Sequence, residues 1–209
     1  MKAKLLTTFL FLILTVTQVS AERPSIGALD QKLDALIKAL GVCPPGGSER
    51  FVDNGDGTIC DRETGLMWEK KDAADEVEDL DNPHDVDNQY TWTDLADGDD
   101  TNSDGTVFTD FLARLNGVIA GSAASEQLGG YSDWRLPTIA ELQTIWDCSF
   151  SPCIYPIFGP TDIGHHYWSS TSNANSHTGV FGLRFAEDWV LGTLAKSGGF
   201  SVRAARGGR

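Results

Sequence analysis

Basic residues are scarce in the first half of this sequence. Between Asp72 and Asp110 there are 14 acidic residues and not one Lys or Arg. Over the wider range 51–130, 20 acidic residues stand against four basic ones, and the whole chain has a formal net charge of −14 at pH 7. Nucleic-acid binding needs clustered Lys and Arg to neutralise phosphates, so the composition argues against a nucleic-acid partner.

Long apolar runs are also scarce. The only one, residues 5–16, is well short of the roughly 20 residues that a membrane-spanning helix needs. Two lysines precede it and Val19-Ser20-Ala21 follows it, which is the three-part pattern of a cleavable signal peptide. We therefore expect a signal peptide over 1–21, cleavage before Glu22, no later transmembrane segment, and export to the periplasm, cell surface or extracellular space.

Cysteine is limited to four residues, namely Cys43, Cys60, Cys148 and Cys153. Their spacing matches no usual zinc pattern, and no histidine is placed to complete one. An even number of cysteines in an exported chain favours disulfides, although the sequence alone allows three pairings. Proximity along the chain favours Cys43 with Cys60 and Cys148 with Cys153.

Catalytic patterns are missing as well. The serines of Trp168-Ser169-Ser170 lack the Gly-x-Ser-x-Gly turn of a nucleophilic serine, and no two histidines have the helical spacing of a metal site. The sequence therefore predicts a protein that is not an enzyme.

The clearest periodic feature is a helix from Ser25 to Leu40. Large apolar residues recur at alternating steps of three and four, as at the a and d positions of a heptad repeat: Ile26, Leu29, Leu33, Leu36 and Leu40. A helix of this length is marginal alone in water, so the apolar seam has to be buried. It could lie on its own domain, but the narrow repeat favours pairing between copies, so we expect a homo-oligomer with a short coiled coil over 22–42 and a linker over 43–50.

Residues 51–209 have the pattern of one α+β domain with an antiparallel sheet. Short apolar segments between turns predict a series of strands: Leu66–Trp68, Tyr167–Ser170, Val180–Phe185, Trp189–Leu194 and Phe200–Arg206. The acidic stretch 72–110 is expected to be a loop-rich insertion in this domain.

Two main helices are expected in the domain. The first is predicted from six apolar residues on one helical face, which are Phe108, Phe111, Leu112, Leu115, Val118 and Ile119. The second begins with the capping box Thr138-Ile139-Ala140-Glu141 and turns Leu142, Ile145 and Trp146 towards the core.

Four strings in the domain, taken together, resemble one family. They are Gly65-Leu66-Met67-Trp68-Glu69, Gly129-Gly130-Tyr131-Ser132-Asp133-Trp134-Arg135-Leu136-Pro137-Thr138 with Glu141-Leu142, Tyr167-Trp168-Ser169-Ser170-Thr171, and Val202-Arg203-Ala204-Ala205-Arg206. In this order they are similar to the Lcl C-terminal domain, the globular end of a Legionella collagen-like adhesin, over roughly residues 51–207. The resemblance implies a C-type lectin-like fold related to formylglycine-generating enzymes, surface attachment, in some members to sulfated glycosaminoglycans, and trimerisation.

The function that this resemblance implies is an exported, non-catalytic binding or adhesion module that recognises a glycan or another surface ligand. Sulfated glycans call for a basic surface, whereas this chain is acidic. Two alternatives stay open, namely a structural or assembly subunit of the cell envelope and an enzyme of the formylglycine-generating type. A free reactive thiol would mark the enzyme.

A calcium site is the sharpest candidate for bound chemistry. Three oxygen-bearing residues alternate before Gly105, as in a calcium loop, but position 12 carries Phe111 instead of Glu. The candidate ligands are Asp97, Asp99, Asp100, Asn102 and Asp104. A solvated acidic turn without an ion is the alternative.

The aromatic residues divide into two groups. Trp68, Trp134 and Trp168 lie beside apolar residues, so we expect them in the core. Tyr90 and Trp92 lie in the acidic stretch, where we expect exposed rings that could bind a ligand.

One basic residue of the family strings, Arg135, is expected to form an ion pair with Glu141 or Asp133.

Overall fold

The computed structural model describes residues 25, 27–29, 31–33, 36, 43, 47–72, 74–95, 101–119, 127–187 and 191–208. The expected signal peptide 1–21 lies outside these residues, as do Ile26 and Leu40 of the expected coiled coil. Of the helices in the described residues, none is long and apolar enough to cross a membrane.

The first sheet has four antiparallel strands in the order β1 (Phe51–Asp53), β2 (Thr58–Asp61), β3 (Leu66–Glu69) and β7 (Ala205–Gly207). The turn between β1 and β2 needs left-handed backbone at Gly55 and Gly57, whose φ angles are 74° and 82°. Strand β7 comes from the far end of the chain and places Ala205 opposite Trp68.

The second sheet has three antiparallel strands, β4 (Tyr167–Ser172), β5 (Gly179–Leu183) and β6 (Leu191–Ala195). A bridge between Tyr167 of β4 and Ser201 connects the second sheet with the segment that leads into β7, and a bridge between Ala205 and Arg135 lies at the edge of the first sheet. The prediction of an α+β domain with antiparallel strands is therefore confirmed, with the strands divided between two sheets.

The expected strand Phe200–Arg206 is wrong in extent. Only the end of this segment belongs to a strand, while Phe200 bonds with Tyr90 and Ser201 bonds with Trp168 and His166. The segment passes from one sheet to the other, and a chain that changes partner every few residues cannot keep a continuous ladder. Trp189 of another expected strand lies outside the described residues.

Trp68, Trp134 and Trp168 are core residues, as predicted. Their exposed fractions are 0%, 3% and 0%. Trp68 packs in one apolar cluster with Phe158, and the other two tryptophans pack in a second cluster with Phe111.

The capped helix is confirmed as Ile139–Thr144. The Thr138 hydroxyl accepts a hydrogen bond from the Glu141 backbone N–H, and the Glu141 carboxylate accepts one from the Thr138 N–H. Leu142 and Ile145 are fully buried, so the apolar face of this helix joins the core.

The other expected helix differs from the prediction. It consists of a π-helix, Val107–Leu112, followed by a single α-helical turn, Ala113–Leu115. Val118 is 73% exposed and does not join the buried face. A π-helix has more residues per turn than an α-helix, so the apolar residues no longer fall on one face. The helix ends at Asn116, whose side chain bonds the backbone N–H and C=O of Trp134.

Both favoured disulfides are present. Cys43 is bonded to Cys60 and Cys148 is bonded to Cys153. The first bond attaches the linker that follows the N-terminal helix to β2, and the second closes the loop after the capped helix.

Candidate functional site

The largest irregular feature of the described chain is residues 72–95, here called the acidic excursion. Its described residues, 72 and 74–95, form no regular helix or strand. It contains nine acidic residues and no Lys or Arg. Buried contacts at both of its ends hold it against the two sheets.

Glu69, the last residue of β3, makes the first of these contacts. Its side chain is fully buried, and Oε1 lies 2.9 Å from both Lys71 Nζ and His84 Nδ1. The other carboxylate oxygen, Oε2, accepts a hydrogen bond of 3.0 Å from the Ala204 backbone N–H. One carboxylate therefore joins the start of the excursion, its middle and the segment that leads into β7.

The Glu69 carboxylate is ionised although it is buried. Burial by itself raises the pKa of Glu69, but the charge of Lys71 and the hydrogen bond from His84 outweigh burial and lower this pKa to about 2. Burial lowers the pKa of Lys71, and the ion pair with Glu69 opposes that change. Lys71 also donates a 2.9 Å hydrogen bond to the Pro83 carbonyl, so it holds the excursion directly.

Arg203 completes this buried network. Its guanidinium donates hydrogen bonds of 2.9 Å to the Glu69 and Phe158 carbonyls and lies 5.5 Å from the Phe158 ring centre. A fully buried guanidinium needs such acceptors, because an unbonded one would be costly to remove from water. Arg203 therefore has a structural role among the described residues.

Tyr90 and Trp92 make the second contact, and their expected exposure is wrong. They are only 1% and 5% exposed. The backbone of Tyr90 exchanges two hydrogen bonds with Phe200, of 3.0 and 3.1 Å, and the Trp92 ring centre lies 5.8 Å from that of Trp168. The excursion returns to the core at this point, so the two rings stabilise it and are not available on the surface for a ligand.

Lys196 connects the loop that contains Thr101 with the end of the excursion at Trp92. Its ammonium donates a 2.8 Å hydrogen bond to the Thr101 carbonyl and lies 5.9 Å from the Trp92 ring centre. Asp104 Oδ1 accepts hydrogen bonds from the Thr93 hydroxyl at 3.0 Å and the Asp94 N–H at 3.1 Å. In the described part of this loop, a lysine and a carboxylate already hold the backbone.

The expected calcium ligands lie around this loop. Asp97, Asp99 and Asp100 are outside the described residues, whereas Asn102 and Asp104 are described and half-buried. Calcium binding by these five residues stays a prediction.

The outer surface of the excursion is acidic with two apolar side chains. Val77 is 63% exposed and Leu80 is 47% exposed. The exposed acidic residues around them along the chain are Asp72, Asp75, Glu76, Glu78, Asp79 and Asp81. Such a surface can offer apolar contact and hydrogen-bond acceptors to a ligand, and it repels anions.

A carboxylate cluster lies in the same excursion. Asp75, Asp85 and Asp87 each offer one oxygen, and these oxygens lie within 4.8 Å of one another. The cluster cannot be recognised from the sequence, because Asp75 is ten residues from Asp85 and no linear calcium motif has that spacing. Only the turns of the excursion bring the three together.

A second polar cluster surrounds Asp162. Its Oδ2 accepts a 2.8 Å hydrogen bond from the Ser201 hydroxyl and lies 2.7 Å from His165 Nδ1. Burial raises the pKa of Asp162, but the hydrogen bonds from Ser201 and His165 outweigh burial and lower it. The Asp162 carboxylate therefore lies between Ser201 and His165. A serine acts as a nucleophile when a histidine bonds its hydroxyl directly and accepts the proton, which is a different arrangement.

The four family strings contact one another. Arg135 donates hydrogen bonds of 2.7 and 2.8 Å to Glu141, which confirms one of its two expected partners. Asp133, the other expected partner, accepts a 2.6 Å hydrogen bond from Arg206 Nε. The Ser170 N–H donates a 2.7 Å hydrogen bond to the Pro137 carbonyl. These residues therefore stabilise the fold.

A family model described as the Lcl C-terminal domain matches residues 57–206. The match begins in the turn before β2 and ends within β7, so it includes the acidic excursion and both polar clusters. Among curated proteins, none matches the chain.

Proposed function

Because the chain belongs to the Lcl C-terminal domain family, we propose that it is an exported, non-catalytic adhesion module that binds a surface ligand through the acidic excursion. Membership of this family indicates an adhesin-like module. The ligand class, the binding surface, export and a C-type lectin-like type of fold are parts of the proposal.

The observation that carries the proposal is the way in which the excursion is held. Long irregular segments are uncommon in compact domains and are usually functional or disordered. This one is fixed by the buried carboxylate of Glu69 at one end and by the buried rings of Tyr90 and Trp92 at the other. A long loop that is fixed on a rigid scaffold is a typical binding surface.

The charge of the excursion favours a ligand without strong negative charge. Its acidic residues repel sulfated glycans, and neutral glycans avoid this repulsion. The exposed side chains of Val77 and Leu80 can pack against the apolar face of a sugar ring or a similar group, while the carboxylates accept hydrogen bonds from hydroxyls.

The non-catalytic part of the proposal rests on the cysteines and on Ser201. All four cysteines of the chain are in disulfides, so none offers the free thiol that would mark a formylglycine-generating enzyme. Ser201 is buried and donates to Asp162, which does not activate it as a nucleophile.

Export and self-association are supported by the disulfides and the N-terminal helix. Two disulfides fit an oxidising compartment outside the cytosol. Leu29, Leu33 and Leu36 are 50%, 52% and 55% exposed, so in the single chain the described part of the seam does not lie against its own domain. We propose that copies of the chain, most simply three, bury this seam together.

The exported protein should be tested on an array of neutral, sialylated and sulfated glycans. We expect binding to neutral glycans, and the double variant Val77→Ser with Leu80→Ser should reduce this binding at least tenfold. Val118→Ser is the matched control, because it also removes an exposed apolar side chain but lies outside the excursion. Equal binding by the parent and the double variant would exclude the excursion as the binding surface. No glycan binding at all would favour the structural subunit.

A further inference from the structure

The two disulfides of the domain differ in how far a molecule in solution can reach them. In the first, Cys60 is fully buried within β2 and Cys43 is half-buried. In the second, Cys153 is also fully buried, but Cys148 is exposed. A disulfide is opened by a thiolate that reaches one of its two sulfur atoms, so Cys148 offers a point of attack that the first disulfide lacks.

The backbone around Cys153 is held by hydrogen bonds that do not depend on the disulfide. The Cys153 N–H donates to the Phe185 carbonyl at 3.2 Å, and the Cys153 carbonyl accepts from the Asp147 N–H at 3.0 Å. The two cysteines of this bond are 5 positions apart, against 17 in the other disulfide. A bond that closes a shorter loop constrains the unfolded chain less, so the domain stays folded when Cys148–Cys153 opens.

The loop that this bond closes carries Phe150, which supports a groove. The Phe150 ring centre lies 4.8 Å from that of Tyr155, and the Tyr155 ring centre lies 4.6 Å from that of Phe51. Phe51 and Tyr155 belong to the wall of a groove of about 360 Å³ beside β1. The other residues of that wall are Glu49, Arg50, Pro156 and Ile157. The disulfide therefore acts on the groove through Phe150 and Tyr155.

We propose that Cys148–Cys153 is a thiol-exchange site that controls this groove. The thiolate of a small thiol attacks Cys148 Sγ, the S–S bond breaks, and Cys153 leaves as a thiolate that takes a proton from water. A second small thiolate attacks the small-thiol sulfur of the mixed disulfide, and Cys148 leaves as a thiolate. Two small thiols are oxidised to their disulfide and the protein disulfide is reduced to two thiols. Exposed disulfides are typically the labile or regulatory ones, whereas structural ones resist glutathione.

Opening the bond loosens the contact between Phe150 and Tyr155. Both residues are half-buried, so their contact lies at the surface and gains less from packing than a contact in the core. With the loop closed, Phe150 is confined next to Tyr155, and with the loop open it is not. Tyr155 and the wall of the groove that follows it then become more accessible to solvent.

Reduced glutathione is the probe for the exchange step. The purified protein is incubated under native conditions with an excess of it, and the free thiols are alkylated over time and mapped by mass spectrometry. We expect Cys148 and Cys153 to become alkylated at least about tenfold faster than Cys43 and Cys60. Glutathione trapped in a mixed disulfide should be attached to Cys148. Equal rates for the two disulfides, or reduction of neither until urea unfolds the protein, would overturn the proposal.

A double variant tests the effect on the groove without a reductant. Replacing Cys148 and Cys153 with serine leaves the loop open, and hydrogen exchange at residues 154–157 should become roughly tenfold faster, as expected when local structure opens more easily. Exchange in β2 should stay unchanged. If this variant does not fold, the parent protein that was reduced and alkylated in the first experiment gives the same measurement. Unchanged exchange at 154–157 in the open form would overturn control of the groove.

Phe150 itself is tested in the oxidised protein. Phe150→Ala should speed exchange at residues 154–157 as the open loop does, because it removes the contact with Tyr155 and leaves the disulfide intact. Ser149→Ala is the matched control, since Ser149 is exposed in the same loop, and it should keep the parent exchange. Equal exchange in the two variants would show that Phe150 does not connect the bond with the groove. Glycan binding enters none of these measurements, so their outcome is independent of the adhesion function.

Discussion

Glu69 carries a negative charge where water is excluded, because Lys71 and His84 face the same carboxylate oxygen. Its pKa is about 2 in the folded protein, against a usual value of 4.5. A carboxylate whose pKa is lower in the folded state than in the unfolded state stabilises the fold. This stabilisation is complete at pH values above the unfolded-state pKa, and it is lost as the pH falls through the folded-state pKa. Glu69 should therefore contribute about 3 kcal/mol at pH 7, and this contribution should disappear between about pH 4.5 and pH 2.

We expect Glu69→Gln to lower the free energy of unfolding at pH 7 by about 3–5 kcal/mol, because Lys71 is left buried without its partner. The variant should also have a flatter loss of stability between pH 4.5 and pH 3. Urea unfolding at several pH values measures both effects. Adding Lys71→Met should recover part of the loss at pH 7. A parent and variant with the same acid dependence would show that Glu69 is not the titrating group.

Single residues also show which contacts the sequence reveals. The pair Arg135 and Glu141 could be predicted because the two lie six residues apart around a capping box. The partners of Glu69 could not, since the Ala204 N–H that bonds its carboxylate is 135 residues away. The acidic neighbours of Trp92 along the chain predict a surface position, whereas the ring that it contacts in the fold, Trp168, comes from another part of the chain.

At the scale of elements, Lys196 connects β6 with the loop at 101–106. Its buried ammonium bonds the Thr101 carbonyl, so removing it takes away a charged hydrogen bond that holds this loop. We expect Lys196→Met to cost about 1.5–3 kcal/mol of unfolding free energy, the range for hydrogen bonds to charged groups. Hydrogen exchange of residues 101–106 should also become faster.

Lys70→Met is the matched control for this prediction. Lys70 pairs with Asp53 at 2.6 Å, but both side chains are 35% exposed, and surface ion pairs contribute about 0–1 kcal/mol. The control should leave exchange at 101–106 unchanged. Equal effects of the two substitutions would show that the Thr101 contact does not hold the loop.

The elements differ in how far their own sequence determines them. The strand β3 and the capped helix have local signals, in the apolar run Leu66–Trp68 and in the box at Thr138, and both were predicted. Strand β7 is three residues long and contains Arg206, so only its pairing with β3 makes it a strand. The π-helix Val107–Leu112 has an apolar pattern close to that of an α-helix. For this reason the sequence predicts a helix that includes Val118 and Ile119, whereas the helix in the structure ends at Leu115.

In the whole molecule, the family strings and the acidic excursion have different roles. The strings bond one another: Asp133 accepts a hydrogen bond from Arg206 of β7, and Pro137 accepts one from Ser170 of β4, so the segment 133–137 is bonded to both sheets. The excursion is fixed to that scaffold but exposes its charges. Its sequence predicted an acidic loop, but not the cluster at Asp75, Asp85 and Asp87, because long-range folding of the loop brings those residues together.

Self-association depends on a balance between the leucine seam and this charge. Leu29, Leu33 and Leu36 are about half exposed in the single chain. Burying the exposed half of each side chain could contribute roughly 1 kcal/mol per leucine. Removal of residues 1–21 takes away two lysines and no acidic residue, which changes the net charge from −14 to −16 per chain. Like charges oppose assembly, and salt screens them beyond about 10 Å at 0.1 M.

We therefore expect the mature protein to be an oligomer, with three copies favoured, whose association strengthens as salt is raised. Replacing Leu29, Leu33 and Leu36 with serine should give a monomer by light scattering at tens of micromolar, because the seam no longer gains from burial. Gln31→Ser with Lys32→Ser is the control, since both residues are exposed on the same helix and lie outside the heptad seam. The control should keep the parent mass. A parent protein that is monomeric at every salt concentration would contradict the coiled coil, and the exposed leucines would then have to be covered by something other than a second copy.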